Sequence, residues 1–390
     1  MPYINTMNQN IRAKGDDTMT ATAPFRYDIV GSFLRPASLK AARKAFEEGT
    51  LSLEALSKAE DEAILDLVEK EKACGLKAVT DGEFRRRYWH LDFLAALDGV
   101  TEVHADHWSV AFKGAQPKAS TIAITGKIDF TDHPFLNHFR FLKKAAGETL
   151  AKMTIPSPSM LHLIACVRTE SYTPIERYRD EAVLFEDIAA AYQKAVLAFY
   201  DAGCRYLQLD DTSWGEFCDE DKREAYAKRG FNLDRIAKEY VKVLNKVLAV
   251  KPKDMVITMH ICRGNFRSTW FSSGGYGPIA KTLFAHCPVD GFFLEYDTDR
   301  AGDFNPLHHI KDQKVVLGLV TSKSADLENS EAIKRRIKEA SALVPLDQLA
   351  LSPQCGFAST EEGNLLTEED EWKKLTLIRS IAREVWPDAD

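Results

Sequence analysis

The chain has 390 residues, 45% of them hydrophobic and 28% charged, an ordinary globular composition with ample length for a buried core. It carries 51 Lys and Arg against 58 Asp and Glu, a net charge of −7, and no basic run exceeds Arg85-Arg86-Arg87, which argues against a nucleic-acid partner. No apolar stretch reaches the roughly 18 residues a membrane span needs.

Met1–Pro24 is polar and lacks the apolar segment of a signal peptide, so a mobile N-terminal tail is expected over 1–24, with Met19 an alternative start. Seven cysteines, an odd number without a secretory signal, fit a reducing, cytoplasmic setting. From residue 25 onward, short apolar runs recur: Tyr27–Phe33, Leu76–Asp81, Lys152–Pro156, Arg205–Asp210, Met255–His260, Val289–Glu295, Lys314–Val320 and Leu349–Pro353. Continuous runs of this kind suit strands buried on both faces. Helical periodicity fills the intervals at Ser52–Cys74, stopped by Gly75, at Asp180–Ala202, stopped by Gly203, and at Leu233–Val250 and Glu331–Leu343.

Eight strands alternating with helices predict an α/β fold, a single TIM (β/α)8 barrel over 25–390 with insertions in its βα loops. A doubly wound open sheet is the rival, but no Gly-x-Gly-x-x-Gly follows an early strand. The insertions are Gly99–Gly147, with its own strand-like piece Thr121–Phe130, and Trp214–Phe231, a charged stretch expected to cap the barrel mouth.

Barrel enzymes carry their chemistry where strands end. Those ends read Gly31-Ser32, Asp81-Gly82-Glu83, Asp210-Asp211, His260-Ile261-Cys262, Glu295 and Gln354-Cys355-Gly356. His260 and Cys262 share one side of an extended segment because side chains alternate. One imidazole, two thiols and a carboxylate at His260, Cys262, Glu295 and Cys355 make a good zinc site. Cys262 and Cys355 taken singly read as buried packing residues; four ligands of three types at one mouth favour the metal. Glu83 and Asp210 suit a substrate ammonium group, or pair with Arg35 or Arg85–Arg87. His286-Cys287, His308-His309, Cys74, Cys166, Cys204 and Cys218 are read as packing or solvated residues.

Val30-Gly31-Ser32-Phe33-Leu34-Arg35-Pro36, Asp81-Gly82-Glu83, Leu207–Asp211, Met259–Asn265, Leu294-Glu295 and Ser352–Gly356 together resemble the catalytic half of cobalamin-independent methionine synthase. The likeness runs in order over nearly all of 25–385. Asp81–Arg86 with Trp89 and Asp92-Phe93 is similar to the short, single-barrel members. The resemblance implies a zinc-dependent thiol methyltransferase on a TIM barrel, with Zn2+ on His260, Cys262, Glu295 and Cys355 and homocysteine held by Ser32, Glu83 and Asp210. The backbone at Gly31-Ser32 suits the substrate carboxylate.

Two departures stand out. The long folate-using members carry a second, N-terminal barrel for which this chain has no room, and a proton-transfer histidine where this chain reads Leu317–Lys323 without one. Demethylating methyl-tetrahydrofolate requires a proton on the leaving nitrogen. The expected donor is therefore a methylcorrinoid, delivered by a partner protein, an S-methyl sulfonium compound or another activated carrier. Alternatives are epoxide opening by coenzyme M, which would place a sulfonate against Glu83 and Asp210, and a noncatalytic zinc-binding protein, which the open mouth argues against. A homo-oligomer stays open.

Overall fold

The computed structural model describes residues 23–104, 112–113 and 120–390. The expected mobile tail lies outside the described residues except for Ala23 and Pro24. These two are packed: Ala23 is buried against Ala78 and Tyr206, and the Pro24 carbonyl accepts a hydrogen bond from Lys314 Nζ.

Seven strands form one parallel sheet in chain order: β1 (Ala78–Val79), β4 (Leu150–Pro156), β5 (Tyr206–Asp211), β6 (Val256–Ile261), β7 (Gly291–Glu295), β8 (Lys314–Val320) and β9 (Leu349–Pro353). β2 (Asp98–His104) and β3 (Ser120–Asp129) form a separate antiparallel pair in the first expected insertion. The large sheet curls, and segment 26–33 lies between its two edges. Tyr27 bridges Leu351 of β9, and Ser32 bridges Gly82 just past β1.

The first two expected strands are thus shorter than their apolar runs. Side chains take over the backbone groups that a ladder would use. Asp28 Oδ1 accepts from Ile29 N, and the Glu71 carboxylate accepts from Thr80 N. Thr80 Oγ1 donates to the Gly31 carbonyl. Such local bonds compete directly with strand pairing.

Helices cover the outer face. Leu53–Cys74 is capped by Ser52 and stopped by left-handed Gly75; Glu181–Asp201 is capped by Asp180. Leu233–Leu248, Ser330–Ala340 and Glu368–Val385 follow their strands, the last behind a Thr367–Asp370 capping box. Their apolar faces and the outer sheet face make the main core. Inside the curl, Val30, Phe293, Val316 and Ala350 pack together. Beneath them the Asp28 carboxylate receives Lys152 Nζ and the Tyr206 hydroxyl, which satisfies an otherwise costly buried charge.

The stretch Trp214–Phe231 is a cap only in part. Ser213–Phe217 is a buried helical turn, with Trp214 packed on Phe217 and Tyr240 and Glu216 paired to Arg168. The following Glu220–Lys228 helix is the largely exposed portion. Among the described residues no helix is long and apolar enough to cross a membrane.

His133 sits among Phe93, Phe130 and Phe135. Its Nε2 lies 3.0 Å from the Phe93 carbonyl, and its Nδ1 accepts from Phe135 N at 3.3 Å. Only the neutral ring satisfies both bonds. Burial, despite the Phe93 carbonyl, lowers its pKa from 6.5 to about 4. Above pH 6.5 the ring is neutral in folded and unfolded chains alike. Between 6.5 and about 4 the unfolded chain takes up a proton that the folded one refuses, so stability falls as pH falls. Denaturant melts of wild type and His133→Gln across pH 7.5–4 should converge on a smaller acid loss for the variant, which keeps donor and acceptor without titrating.

Candidate functional site

The parallel register sets the site. Asp210 and His260 are paired positions on β5 and β6, and Ile261 pairs with Leu294, one residue before Glu295. Cys355 follows β9 by two residues. The four expected ligands converge: one donor atom from each of His260, Cys262, Glu295 and Cys355 lies within 4.8 Å of all the others, and all four residues are buried.

The atoms are arranged for a cation. The two sulfurs are 3.6 Å apart. Two thiolates at tetrahedral zinc, each about 2.3 Å from the ion, would be about 3.8 Å apart. His260 Nδ1 lies 3.3 Å from Asp210 Oδ1, while its Nε2 is buried without a partner among the described residues. A carboxylate that fixes one ring nitrogen and leaves the other for an ion is the usual support of a metal-binding histidine. Glu295 Oε1 accepts from Arg263 N and Oε2 from Arg300 Nη2 at 2.8 Å. Burial opposes ionisation of Glu295, but Arg300 and then Lys323 outweigh it and lower its pKa. Burial likewise opposes a thiolate at Cys355; the hydrogen bond with Cys262 and the nearby His260 prevail and lower its pKa, while that bond with Cys355 pushes Cys262 up. The residues present fit a divalent, sulfur-tolerant ion.

A cleft opens beside the cluster, lined by Ser32, Glu83, Trp89, Asp210 and Ser359 along with the two cysteines and His260. Glu83 reaches it through a left-handed backbone, φ 60°, rare outside glycine. The Asp81 side chain secures that turn by accepting from Glu83 N. Strain of this kind gathers at functional positions. Glu83 Oε1 accepts from Thr154 Oγ1 at 2.8 Å and lies 3.3 Å from Arg86, but Oε2 is buried without a partner among the described residues. Burial, with Asp210 adding to it and Arg86 opposing, pushes the Glu83 carboxyl up to about 7. The Arg35 guanidinium binds the Glu83 carbonyl rather than its carboxylate. Asp210 pairs with His260 and Gln208, not with an arginine.

Gly31 has φ 143°, and a Cβ there would stand 2.6 Å from Thr154 Cγ2, so only glycine lets segment 26–33 press against β4. Ser32 Oγ accepts from Ala358 N and lies so close to Gly356 that a side chain at 356 would overlap it. Segments 26–33 and 355–360 therefore meet at the cleft.

Several supporting residues were not singled out as site residues from the sequence. Thr154 and Lys152 are polar at alternate positions of an apolar strand, a legible sign of an inward face. Lys323 Nζ reaches the Gly264 carbonyl, Asn265 Oδ1 and the Thr269 carbonyl, and Asn265 Nδ2 donates to the Gly356 carbonyl and Ser359 Oγ. This ties the two cysteine loops together, and no local pattern announces it. The decoys stay apart from the cluster: Cys166, Cys204, Cys218 and Cys287 are buried, and Cys74 is half-buried.

Residues 25–382 match the family model described as the cobalamin-independent synthase catalytic domain. The chain is 51% identical to the uncharacterized protein YxjH of Bacillus subtilis, over 93% of this chain and 95% of that one. It is 22% identical to the methionine synthase of Saccharolobus solfataricus, covering 84% and 87%. A solved structure from Listeria monocytogenes, described as a vitamin-B12-independent methionine synthase, superposes with TM-score 0.75 at 47% identity, covering 93% of this chain and 98% of that one. The selenomethionine complex of a B12-independent methionine synthase from Shewanella gives 0.67 at 18% identity, covering 93% and 97%, a likeness of fold. Fold and family place the molecule in the class of methyltransferase-type α/β enzymes. The chain belongs to the cobalamin-independent methionine synthase catalytic-domain family.

Asp210→Asn removes the charge that orients His260 without changing shape. Its affinity for zinc, measured by competition with a chelator, should fall about 10- to 100-fold. Cys262→Ser and Cys355→Ser should each lose the stoichiometric ion by elemental analysis; full retention in both would dismiss the cluster as a metal site.

Proposed function

We propose that the chain is a zinc-dependent methyltransferase that transfers a methyl group to the thiol of homocysteine, forming methionine, from a donor other than folate. The observation that carries this reading is the four-donor cluster at the floor of a cleft whose wall presents an unpartnered, buried carboxylate oxygen of Glu83. In the same reading segment 26–33 is the eighth stave that closes a (β/α)8 barrel, since it is bonded to β9 on one side and to the turn after β1 on the other.

Zinc, held by His260, Cys262, Glu295 and Cys355, would keep the substrate sulfur as a nucleophilic thiolate at neutral pH. The protein does the rest by position. Asp210 holds the proton on His260 Nδ1 and leaves Nε2 for the ion. Glu83 and Asp210 take the substrate ammonium, and the backbone and hydroxyl at Gly31-Ser32 face its carboxylate. Arg300 and Lys323 offset the negative charge gathered around the thiols. A sulfonate thiol such as coenzyme M would meet Glu83 and Asp210 as like charges, which disfavours the epoxide-opening alternative.

The donor reading rests on Ser322 and Lys323. Ser322 Oγ donates into Gln354 Oε1 and the Gly356 carbonyl, and Lys323 Nζ is engaged by three oxygens. Neither is poised to hand a proton to a leaving nitrogen.

Glu83→Gln should weaken homocysteine binding about 10- to 150-fold, the worth of a charge-assisted bond, by calorimetric titration of the zinc-loaded protein. Ammonium binding needs ionised Glu83, so wild-type affinity should decline as pH falls below about 7, and the Glu83→Gln variant should lose that dependence. Methyl-tetrahydrofolate should support negligible methionine formation, because loss of general acid catalysis costs about 10²- to 10⁴-fold. Turnover with that donor near 1 s⁻¹, an ordinary enzyme rate of about this order, would overturn the donor assignment.

A further inference from the structure

A second cavity adjoins the thiol cleft, and Trp89 lines both. Its walls are aromatic: Tyr88, Trp89, Phe112, Phe266 and Phe271. Phe112 packs on Phe266 with centroids 5.5 Å apart and meets Phe271 edge-on at 5.1 Å. Arg168 is the one charged side chain lining it among the described residues. That charge is offset in part, because Arg168 is buried and paired to the fully buried Glu216, though Arg168 and Lys222 both lie over the Phe271 ring, at 5.5 and 5.0 Å from its centroid. Two polar atoms on the wall, His90 Nδ1 and Thr360 Oγ1, are buried without partners among the described residues, and their residues are only 5% and 7% exposed. Burial and the Arg168 charge hold the His90 pKa down to about 3, so the ring is neutral.

We propose that this aromatic vestibule binds the methyl donor, and that the donor is a small methyl-onium cation, a sulfonium or a quaternary ammonium, with a polar tail held by His90 and Thr360. This rests on the thiol-methylating reading above and narrows its donor. Three observations carry it. Aromatic faces attract methylated cations and give little to anions. Through Trp89 the vestibule adjoins a cleft lined by Glu83, Asp210 and two thiols, with no basic residue but His260 among the described residues, and these acids favour a cation. The ligand cluster lies deep, with Cys262 5% and Cys355 2% exposed, so a corrin macrocycle could not bring its methyl to the sulfur without displacing the residues that cover it.

The chemistry balances without an acid. The thiolate sulfur forms a bond to the methyl carbon, and the bond from that carbon to the onium sulfur or nitrogen breaks. The electron pair of the broken bond stays on the leaving atom, which departs as a neutral sulfide or tertiary amine. One anion and one cation become two neutral products, and no proton is delivered. This matches a site with no group poised to deliver one beside Ser322.

The test uses the zinc-loaded protein and two matched pairs. Each pairs an onium with its uncharged carbon isostere: dimethylsulfoniopropionate with 4-methylpentanoate, and glycine betaine with 3,3-dimethylbutanoate. Titration calorimetry without homocysteine reads binding alone. At least one onium should bind more tightly than its isostere, and Trp89→Leu and Phe271→Leu should each cut that preference about 2- to 30-fold, the range of a cation–π contact. Both residues are half-buried, and two variants guard against a folding defect in one. The two pairs separate sulfonium from ammonium. Methionine formation is then followed with homocysteine and each onium, and with methylcobalamin in parallel. Equal binding of onium and isostere in both pairs, or a preference untouched by both variants, overturns the proposal. So does turnover with methylcobalamin while neither onium binds, and that result leaves the thiol-methylation reading standing. Cation-selective binding at Trp89 and Phe271 with no methylation of homocysteine upholds the vestibule and overturns the acceptor instead.

Discussion

Gathering acids in one dry place is the constraint on which this molecule turns. Glu83, Asp210, Glu295, Cys262 and Cys355 all lie buried around one cleft, and like charges so placed repel while losing their water. The structure meets that cost with cations set behind the acids rather than inside the cleft. Arg300 sits on Glu295, Arg86 on Glu83, and Lys323 ties down the cysteine loops. A divalent ion at the cluster would complete the compensation. Removing one partner of such a set costs more than the pair is worth, because it strands a buried charge.

The same arrangement explains the division of labour along the cleft. The floor is rigid, since its donors come from strand ends held in register by the parallel ladder. The wall is made by turns: left-handed Glu83 after β1, glycine at 31, and the loop 355–360 against Ser32. Strands fix the atoms that must meet an ion to within fractions of an ångström. In the proposed reading, turns present the groups that meet a small flexible substrate, for which hydrogen-bond reach is enough.

Beside the cleft the character changes from acidic to aromatic. Arg168 ends a π-helical turn at 163–168 and is paired to Glu216, which offsets part of the charge it brings to the vestibule. Trp89 is the shared wall, held by its backbone to Ser359 on the second cysteine loop. Cleft and vestibule are thereby joined through one residue and one loop.

How much of this was legible beforehand follows from what each feature depends on. Alternating apolar runs and helical periods depend on local burial, so the α/β order, one strand of the insertion and most long helices could be read from the chain, while that strand's partner Asp98–His104 could not; His260 and Cys262 could be read as neighbours, because side chains alternate along a strand. Glu295 and Cys355 could be placed with them only by assuming that strand ends share one level. Other features depend on partners distant in sequence, and these only the folded chain decided. The runs at Tyr27–Phe33 and Leu76–Asp81 shrank to bridges and a two-residue strand because Asp28, Glu71 and Thr80 side chains captured their backbone groups. Asp210 turned toward His260 across the β5–β6 register, Glu216 drew Ser213–Phe217 inward to Arg168, and Lys323 spanned to Asn265. Sequence fixes which groups can bond; the choice among distant partners is made by whichever pairing leaves the fewest charges buried alone.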